Sequence, residues 1–304
     1  FQAEDGIRDA QESRGLGDVY KAGNIFLTIT ISVGIAAVLT LSGFGTDSYR
    51  SFAGSPLGWG YSLGIAILAT LTLVEITTNK IWRITLSIFI PILLTAMIMT
   101  RERGPLIALI VIASLILFWK GKFSVRSKIW FVISVSVVFS LLLIIMPREF
   151  WHRYELLFAQ NKGSSIIDRV KAYGLAIQLF VDHPLIGSGT GSFHYFHGYF
   201  HYPHNIFLEI GAENGILGLV LFGGFLLYLV MSYRRISRNP NIGKINKKLC
   251  YGCFLIFLFQ LIGLQFSGDI TSRKLLFFAG LIILFGLRKT KNRNLTHIEM
   301  KSHI

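Results

Sequence analysis

The chain has 304 residues, of which 52% are hydrophobic and only 15% are charged, and its mean hydropathy is +0.57. A soluble domain of this size seldom has such a composition, so the sequence indicates a membrane protein. The net charge of +14 at first suggests a nucleic-acid partner. Its placement argues against that partner, because 17 of the 30 Lys and Arg residues lie in short segments next to apolar runs: 77–83, 120–128, 234–248 and 288–304.

Apolar runs of nearly the length that a helix needs to cross a bilayer, roughly 20 residues, recur along the chain. Helices are expected because lipid offers no hydrogen-bond partner to the backbone, and no alternating pattern suggests a barrel. We therefore predict an all-α, polytopic transmembrane helix bundle. Its eight spans are 24–43, 58–76, 82–100, 104–119, 129–146, 215–233, 249–267 and 274–287.

The basic segments also predict the orientation of the bundle, because Lys and Arg concentrate on the cytoplasmic side. We expect 120–128 and 234–248 in the cytoplasm, and 44–57, 101–104, 147–214 and 268–273 outside it. The predicted organisation is a non-native segment at 1–20, five spans in 21–146, an extracytoplasmic loop domain at 147–214, three spans in 215–287 and a basic cytoplasmic tail at 288–304. The large loop thus separates the fifth and sixth visible spans.

Residues 1–20 hold five of the sixteen acidic residues, and the chain starts at Phe1 rather than Met. No signal peptide can be read there. The segment resembles translated sequencing-adapter read-through, and the alternative is a short cytoplasmic segment. We expect this stretch to be dispensable.

A short polar segment at the head of the fourth span contains Arg101 and Arg103-Gly104-Pro105. Proline suits a first helical turn, and a helix start directs free N–H groups and partial positive charge outward. Arginine beside such a helix end is a favourable site for a phosphate anion. The alternative for both arginines is simple interfacial anchoring of a long side chain.

The loop contains Arg169, then a helical pattern and then a glycine-rich run that includes Gly187 and Gly189. A salt bridge from Arg169 to Asp168 or Asp182 is the alternative to ligand binding. The run lacks the strand–turn–helix context of a nucleotide site, so we expect a compact turn whose backbone approaches a ligand or a helix. Apolar residues at three- and four-residue steps predict an amphipathic helix on the outer membrane face, and they are Ile166, Ile167, Val170, Leu175, Ile177 and Leu179.

Four histidines follow at intervals of three, four and three residues, at 194, 197, 201 and 204. That spacing on one helix face would suit zinc, but Gly198 and Pro203 weaken a continuous helix. The aromatic residues between them are typical interfacial anchors, and some could stack on sugar rings. Cys250 and Cys253 lie in an apolar span and are expected to be buried fillers rather than a redox pair. We expect no metal and no cofactor.

His204-Asn205 precedes the sixth span, and Gly215 and Gly218 lie at its start. Asn205 is a plausible N-cap, and Glu209 and Glu213 fall in the first helical turns, where acids are favourable. An imidazole titrates near neutral pH and could accept a proton in catalysis, with Glu209 orienting its ring; the alternative is a capping histidine. The two glycines are expected to allow close helix packing, and Glu213 to be a structural acid.

The spacing His-Asn, nine residues, Gly-x-x-Gly resembles the signature of the O-antigen ligase and polymerase family. Arg103-Gly104 and Arg169, followed by the glycine-rich turn, match its other features. The resemblance covers roughly 80–290 and implies a multi-pass protein of the bacterial cytoplasmic (inner) membrane with its active site on the extracytoplasmic side. About a dozen spans are usual in the family, so it also implies that about four spans are missing at the N-terminus and that this fragment is inactive.

The resemblance implies a metal-independent glycosyltransferase of the ligase type. The donor would be a glycan linked to undecaprenyl diphosphate, and the acceptor a hydroxyl of lipid A-core or another surface glycan. His204 would be the base, and Arg103 and Arg169, with Arg101, would bind the diphosphate. The alternatives are a repeat-unit polymerase, a polysaccharide transporter or flippase, and a non-catalytic membrane sensor. Glu75 is nearly the only charged residue inside a predicted span, which argues against the transporter.

Overall fold

The computed structural model describes residues 23–42, 55–100, 102–119, 164–197, 202–240, 242–266 and 275–283. Every regular element in these ranges is an α-helix, which agrees with the predicted all-α class. In chain order they are α1 Gly23–Leu41, α2 Pro56–Ile76, α3 Lys80–Met99, α4 Arg103–Trp119, α5 Ser164–Asp182, α6 Ser192–His197, α7 Ile206–Arg238, α8 Lys244–Gly263 and α9 275–283.

Five of the described helices, α1, α2, α3, α7 and α8, are long and apolar enough to cross a membrane. The apolar part of α4, Arg103–Ile116, is shorter. The five helices coincide with predicted spans, although α7 begins nine residues before the predicted start at 215. The predicted fifth span at 129–146 and the segments 1–20, 120–128 and 288–304 lie outside the described residues. The chain is therefore a membrane protein with several spans, and its orientation remains a prediction.

The chain divides into two compact units, and the first comprises 1–106, 222–263 and 271–304. Within it α2 packs against both α3 and α8. The α2–α8 approach is close because each helix offers a glycine to an aromatic ring of the other. A Cβ on Gly64 would clash with the Phe259 ring, and one on Gly263 with the Tyr61 ring. The Tyr61 hydroxyl also donates a hydrogen bond of 2.9 Å to the carbonyl oxygen of Gly263. Small residues commonly permit such packing between membrane helices.

The second unit comprises 107–221 and 264–270 and contains most of α4, all of α5 and α6, and the first part of α7. Its small core joins α5, α6 and α7. The members of this core are Ala172, Ala176, Leu179, Phe193 and Ala212, with Leu175 and Leu208 at its edge. The alanines on α5 leave room for the buried Phe193 ring, so α5, α6 and the first part of α7 form a compact body.

The helix predicted within the loop is present as α5, but its faces differ from the amphipathic prediction. Leu175 and Leu179 belong to the protein core, whereas Ile167, Val170 and Ile177 are exposed. The apolar residues therefore lie on two separate faces of α5. The physical reason is that the alanines, Ala172 and Ala176, supply most of the buried face, and apolar periodicity alone gave them little weight.

Candidate active site

The central feature of the second unit is a break in α7 at Gly215, whose backbone has φ 62° and ψ −159°. This region of backbone space is open essentially to glycine alone. In an unbroken helix the N–H groups of Ile216 and Leu217 would donate to the carbonyl oxygens of Ala212 and Glu213, four residues earlier. The break removes both of these bonds, so four backbone groups need other partners.

The glycine-rich turn supplies all four partners. The N–H of Ile216 donates to the carbonyl of Pro184 at 2.8 Å, and that of Leu217 to the carbonyl of Leu185 at 3.2 Å. In return, the carbonyls of Ala212 and Glu213 accept from the N–H groups of Ser188 at 3.0 Å and Gly189 at 2.9 Å. We call this exchange of four hydrogen bonds between 184–189 and 212–217 the interlock.

Glycines are required on both sides of the interlock because the two backbones nearly touch. A Cβ on Gly215 would lie 2.5 Å from the carbonyl carbon and oxygen of Leu185. A Cβ on Gly187, which has φ 71°, would clash with the backbone of Glu213 and Asn214. The turn thus brings its backbone against a helix, one of the two alternatives that the sequence left open. Gly189 has φ 103° and open space around its Cβ position, so its backbone conformation alone favours glycine.

Gly215 and Gly218 were predicted to allow helix–helix packing, and among the described residues they have other neighbours. Gly215 contacts a turn, and a Cβ on Gly218 would meet Asn214 and Ile210 from the preceding segment of α7. Both glycines therefore serve the break in the helix. The sequence pattern resembles a packing motif because a helix kink and a close helix–helix contact both favour glycine, which has no side chain.

Side chains around the interlock add a second layer of hydrogen bonds. The Ser188 hydroxyl donates to the carbonyl of Ala212 at 2.9 Å and lies 2.6 Å from the Ser192 hydroxyl. The Asn214 amide nitrogen donates to the Thr190 hydroxyl at 3.0 Å.

Glu213, only 5% exposed, accepts a hydrogen bond of 3.3 Å from the N–H of Phe193. Its carboxylate thus satisfies an N–H in the first turn of α6, which agrees with the predicted structural role. Sequence reasoning missed Ser188, Thr190 and Asn214, because nothing in their local pattern indicates a partner more than twenty residues away.

His204 lies at the head of α7, and its backbone is left-handed with φ 56°. A non-glycine residue with positive φ is uncommon, and such strain concentrates at functional sites. The next residue, Asn205, is the predicted N-cap: its side-chain oxygen accepts from the N–H groups of Phe207 at 3.0 Å and Leu208 at 3.1 Å. The cap fixes the start of α7, so the imidazole is held at a rigid helix end.

The surroundings of the His204 ring favour its neutral form. The ring meets that of Tyr202 edge to face, with centroids 4.6 Å apart. Its Nδ1 is buried and hydrogen bonded to no described residue, including Glu209, which the sequence predicted as its orienting acid. Partial burial, followed by the positive charge of Arg169, lowers the pKa of His204 below its ordinary value of 6.5. Both causes disfavour the imidazolium, so the ring is available as a proton acceptor at neutral pH.

The second unit therefore contains two of the three principal predicted site residues. Arg169 on α5 and His204 before α7 are close enough for the charge of the first to act on the second. The interlock ties the turn that follows α5 to the segment of α7 that begins next to His204.

Arg103 is the first residue of α4 and belongs to the first unit. Pro105 lies in the first turn, as predicted, and its ring packs against Gly60, where an added Cβ would lie 2.9 Å away. This contact fixes the head of α4 against α2. Arg101 lies outside the described residues. Convergence of Arg103 with His204 and Arg169 stays a prediction.

The described histidines do not form the helix face that a zinc site would need. Helix α6 ends at His197, and His204 has a non-helical backbone, so no single helix carries all four histidines. Within the described ranges, no three His, Cys, Asp or Glu side chains come together as metal ligands. Cys250 and Cys253 are both buried and unbridged, which agrees with the predicted filler role.

Several membrane-length helices, together with a folded body in which burial and Arg169 lower the pKa of His204, define a polytopic membrane protein with a candidate active site. Residues 86–223 match the family described as O-antigen ligase. The matched region is somewhat less than half of the chain, and the family is the one that the motifs of the chain resemble. No curated protein matched the chain. The matched region includes Arg103, Arg169, His204 and the whole interlock.

Proposed function

We propose that this protein is a membrane glycosyltransferase of the ligase type, which transfers a glycan from undecaprenyl diphosphate to a hydroxyl of lipid A-core or another surface acceptor. The observation that carries the proposal is the state of His204. It combines a left-handed backbone, a buried Nδ1 without a described partner and a lowered pKa within the region that matches the ligase family.

In this proposal His204 is the general base. The acceptor hydroxyl gives its proton to the imidazole while its oxygen forms a bond to the anomeric carbon of the donor glycan. A base acts best when it is unprotonated at the working pH, and the surroundings of His204 favour the neutral ring. Because Nδ1 is buried, the nitrogen that accepts the proton would be Nε2, in the tautomer that carries its hydrogen on Nδ1.

The bond that breaks joins the anomeric carbon to the diphosphate oxygen, and its electron pair leaves with undecaprenyl diphosphate. The leaving group gains negative charge, so fixed cations lower the barrier. Arg169 is our first candidate for this role, because its charge already acts at His204. Arg103, with Arg101, is the second candidate, because it lies at a helix N-terminus that favours phosphate. No metal ion or nucleotide takes part in this scheme.

The test is glycan transfer by the His204→Asn variant in membranes that contain the lipid-linked donor. Asn tolerates a left-handed backbone better than most residues, so the variant keeps the local fold while it lacks a basic nitrogen. We expect transfer to fall by at least about two orders of magnitude, the usual contribution of a general base. A matched control is His194→Asn, because His194 is exposed on α6.

Normal transfer by His204→Asn would refute the proposed base. The products also identify the reaction class. A ligase moves the whole glycan to a different acceptor, whereas a polymerase lengthens the glycan on the polyprenyl carrier. If the products are longer lipid-linked glycans without a glycosylated acceptor, the reaction is that of a polymerase rather than a ligase, and the proposed role of His204 is unchanged.

A further inference from the structure

Helix α5 carries an apolar face that no described part of the protein covers. Its core-facing side is occupied by Ala172, Ala176 and Leu179. The opposite side and the turn that follows carry large aliphatic residues that are between 42% and 73% exposed. We call this set the α5 stripe, and it consists of Ile167, Val170, Ile177, Val181, Leu185 and Ile186.

The geometry of the stripe is that of one continuous helix face. Its members on α5 recur at steps of three, seven and four residues, which places them on one side of a helix with 3.6 residues per turn. Gly174 occupies the intermediate position, and a Cβ there would meet nothing within 4 Å. The space over the middle of the stripe is therefore open as well.

The stripe continues into the side of a membrane span. The carbonyl of Leu185 accepts the N–H of Leu217 in the interlock, so the end of the stripe adjoins the first turn of α7 beyond Gly215. Ile216, Leu217 and Val220 are exposed there, on a helix of membrane-crossing length and hydropathy. On a helix long enough to cross a membrane, an apolar side that no described residue covers is suited to face lipid, and the stripe adjoins that side.

We propose that the α5 stripe lies in the bilayer, at the boundary between headgroups and acyl chains of the leaflet that the Gly215 end of the α7 span enters. The bilayer itself is the partner, rather than a second protein. An interfacial helix buries its apolar face about 5–10 Å into this boundary. Arg169 adjoins the stripe residue Val170 but points about 100° away around the helix, so it is held at the level of lipid phosphates.

This depth gives the stripe a role that rests on the proposed function. The diphosphate of a polyprenyl-linked donor lies at the headgroup level, with its hydrocarbon tail in the membrane. A helix that lies at this boundary places Arg169 near the diphosphate while the lipid tail of the donor stays in the bilayer. The stripe would thus set the depth of the Arg169 side chain relative to the bilayer. The interlock joins the turn after α5 to the segment of α7 that begins next to His204.

The test is collision accessibility of spin labels on the protein in liposomes of phosphatidylethanolamine with a minor share of phosphatidylglycerol. Labels are attached to cysteines that replace Val170, Ile177 and Val181, and to matched controls at Lys171 and Asp182, which are exposed but off the stripe. The parental protein is the labelling blank, since its two native thiols are buried. Oxygen concentrates in lipid, whereas a charged nickel chelate stays in water.

We expect labels on the stripe to collide severalfold more with oxygen than with nickel chelate, and the controls to show the reverse. Collision of all five labels with nickel chelate would overturn the proposal, because the stripe would then face water. Shielding of the stripe labels from both reagents would also overturn it, because protein rather than lipid would cover the stripe. The pattern should be the same in the His204→Asn background, so failure of the proposed catalysis would not alter this result.

Discussion

Replacement of Gly215 by alanine tests the interlock, because this residue lies at the break in α7. Its φ of 62° and ψ of −159° belong to a region that is nearly closed to side chains. The added Cβ would stand 2.5 Å from the carbonyl carbon and oxygen of Leu185 and 2.6 Å from the N of Gly187. These are backbone atoms, so no side-chain rotation can relieve the contact, and the turn must move away.

The expected loss of stability has two parts. Holding a non-glycine residue in this backbone region costs about 1–3 kcal/mol. Moving the turn also weakens the hydrogen bonds from Ile216 to Pro184 and from Leu217 to Leu185, each worth about 0.5–1.5 kcal/mol net. Together these give a destabilisation of about 2–6 kcal/mol, which is a large fraction of the free energy of unfolding of a typical domain.

The assay is thermal unfolding in lipid nanodiscs, combined with limited proteolysis of the turn at 184–189. Gly215→Ala should lower the melting temperature and speed cleavage in the turn. The matched control is Gly224→Ala in the same helix, where a Cβ meets nothing within 4 Å and alanine should stabilise by up to about 1 kcal/mol. If Gly215→Ala melts and is cleaved like the parental protein, the interlock does not stabilise the break, and the reasoning fails.

Three further predictions concern catalysis and topology. Arg169→Gln should raise the pKa of His204, because it removes a positive charge that disfavours the imidazolium; activity, which falls as the base is protonated, should then be lost at a higher pH than in the parental protein. Arg169→Lys keeps the charge, so the pH at which activity falls on the acidic side of the pH–rate profile should stay the same while the rate decreases. If that pH does not change in Arg169→Gln, the proposed effect of the Arg169 charge on His204 is contradicted. Arg103→Lys should reduce transfer without affecting membrane insertion, since lysine lacks the bidentate fork of arginine, and a normal rate in a transfer assay would remove Arg103 from the site. A cysteine at Gln178 should react with a membrane-impermeant reagent in intact cells and one at Ser237 should not, and the opposite pattern would invert the predicted topology.

The sequence predicts the described spans well because their determinants are local. A membrane helix must satisfy its backbone internally and present apolar side chains, so length and hydropathy suffice to find α1, α2, α3 and α8. The helix starts are equally local. Asn205 caps α7, and Pro105 lies in the first turn of α4, because each acts on backbone groups within its own turn.

The candidate site was harder to predict because its geometry depends on partners distant in sequence. The motif locates His204 and Gly215, but nothing near either residue specifies a left-handed histidine or a helix break. The break is stable only because a turn that lies about thirty residues earlier satisfies the four freed backbone groups. The two faces of α5 follow the same rule, because Ala172 and Ala176 become core residues only through contact with Phe193 and Ala212.

The break in α7 has a mechanical consequence that explains why a strained conformation is useful at this point. In a straight helix from Ile206 to Arg238 the four freed backbone groups would pair within the helix and leave the turn without partners. The kink exposes two donors and two acceptors, and the turn after α5 fits all four. Two chain segments, one bearing Arg169 and one starting beside His204, are thereby joined by backbone hydrogen bonds, which lack the rotational freedom of side chains. Catalysis by a base and a cation on opposite sides of one bond depends on such fixed geometry. The strain at His204 and Gly215 thus lies where rigidity would matter most to glycan transfer.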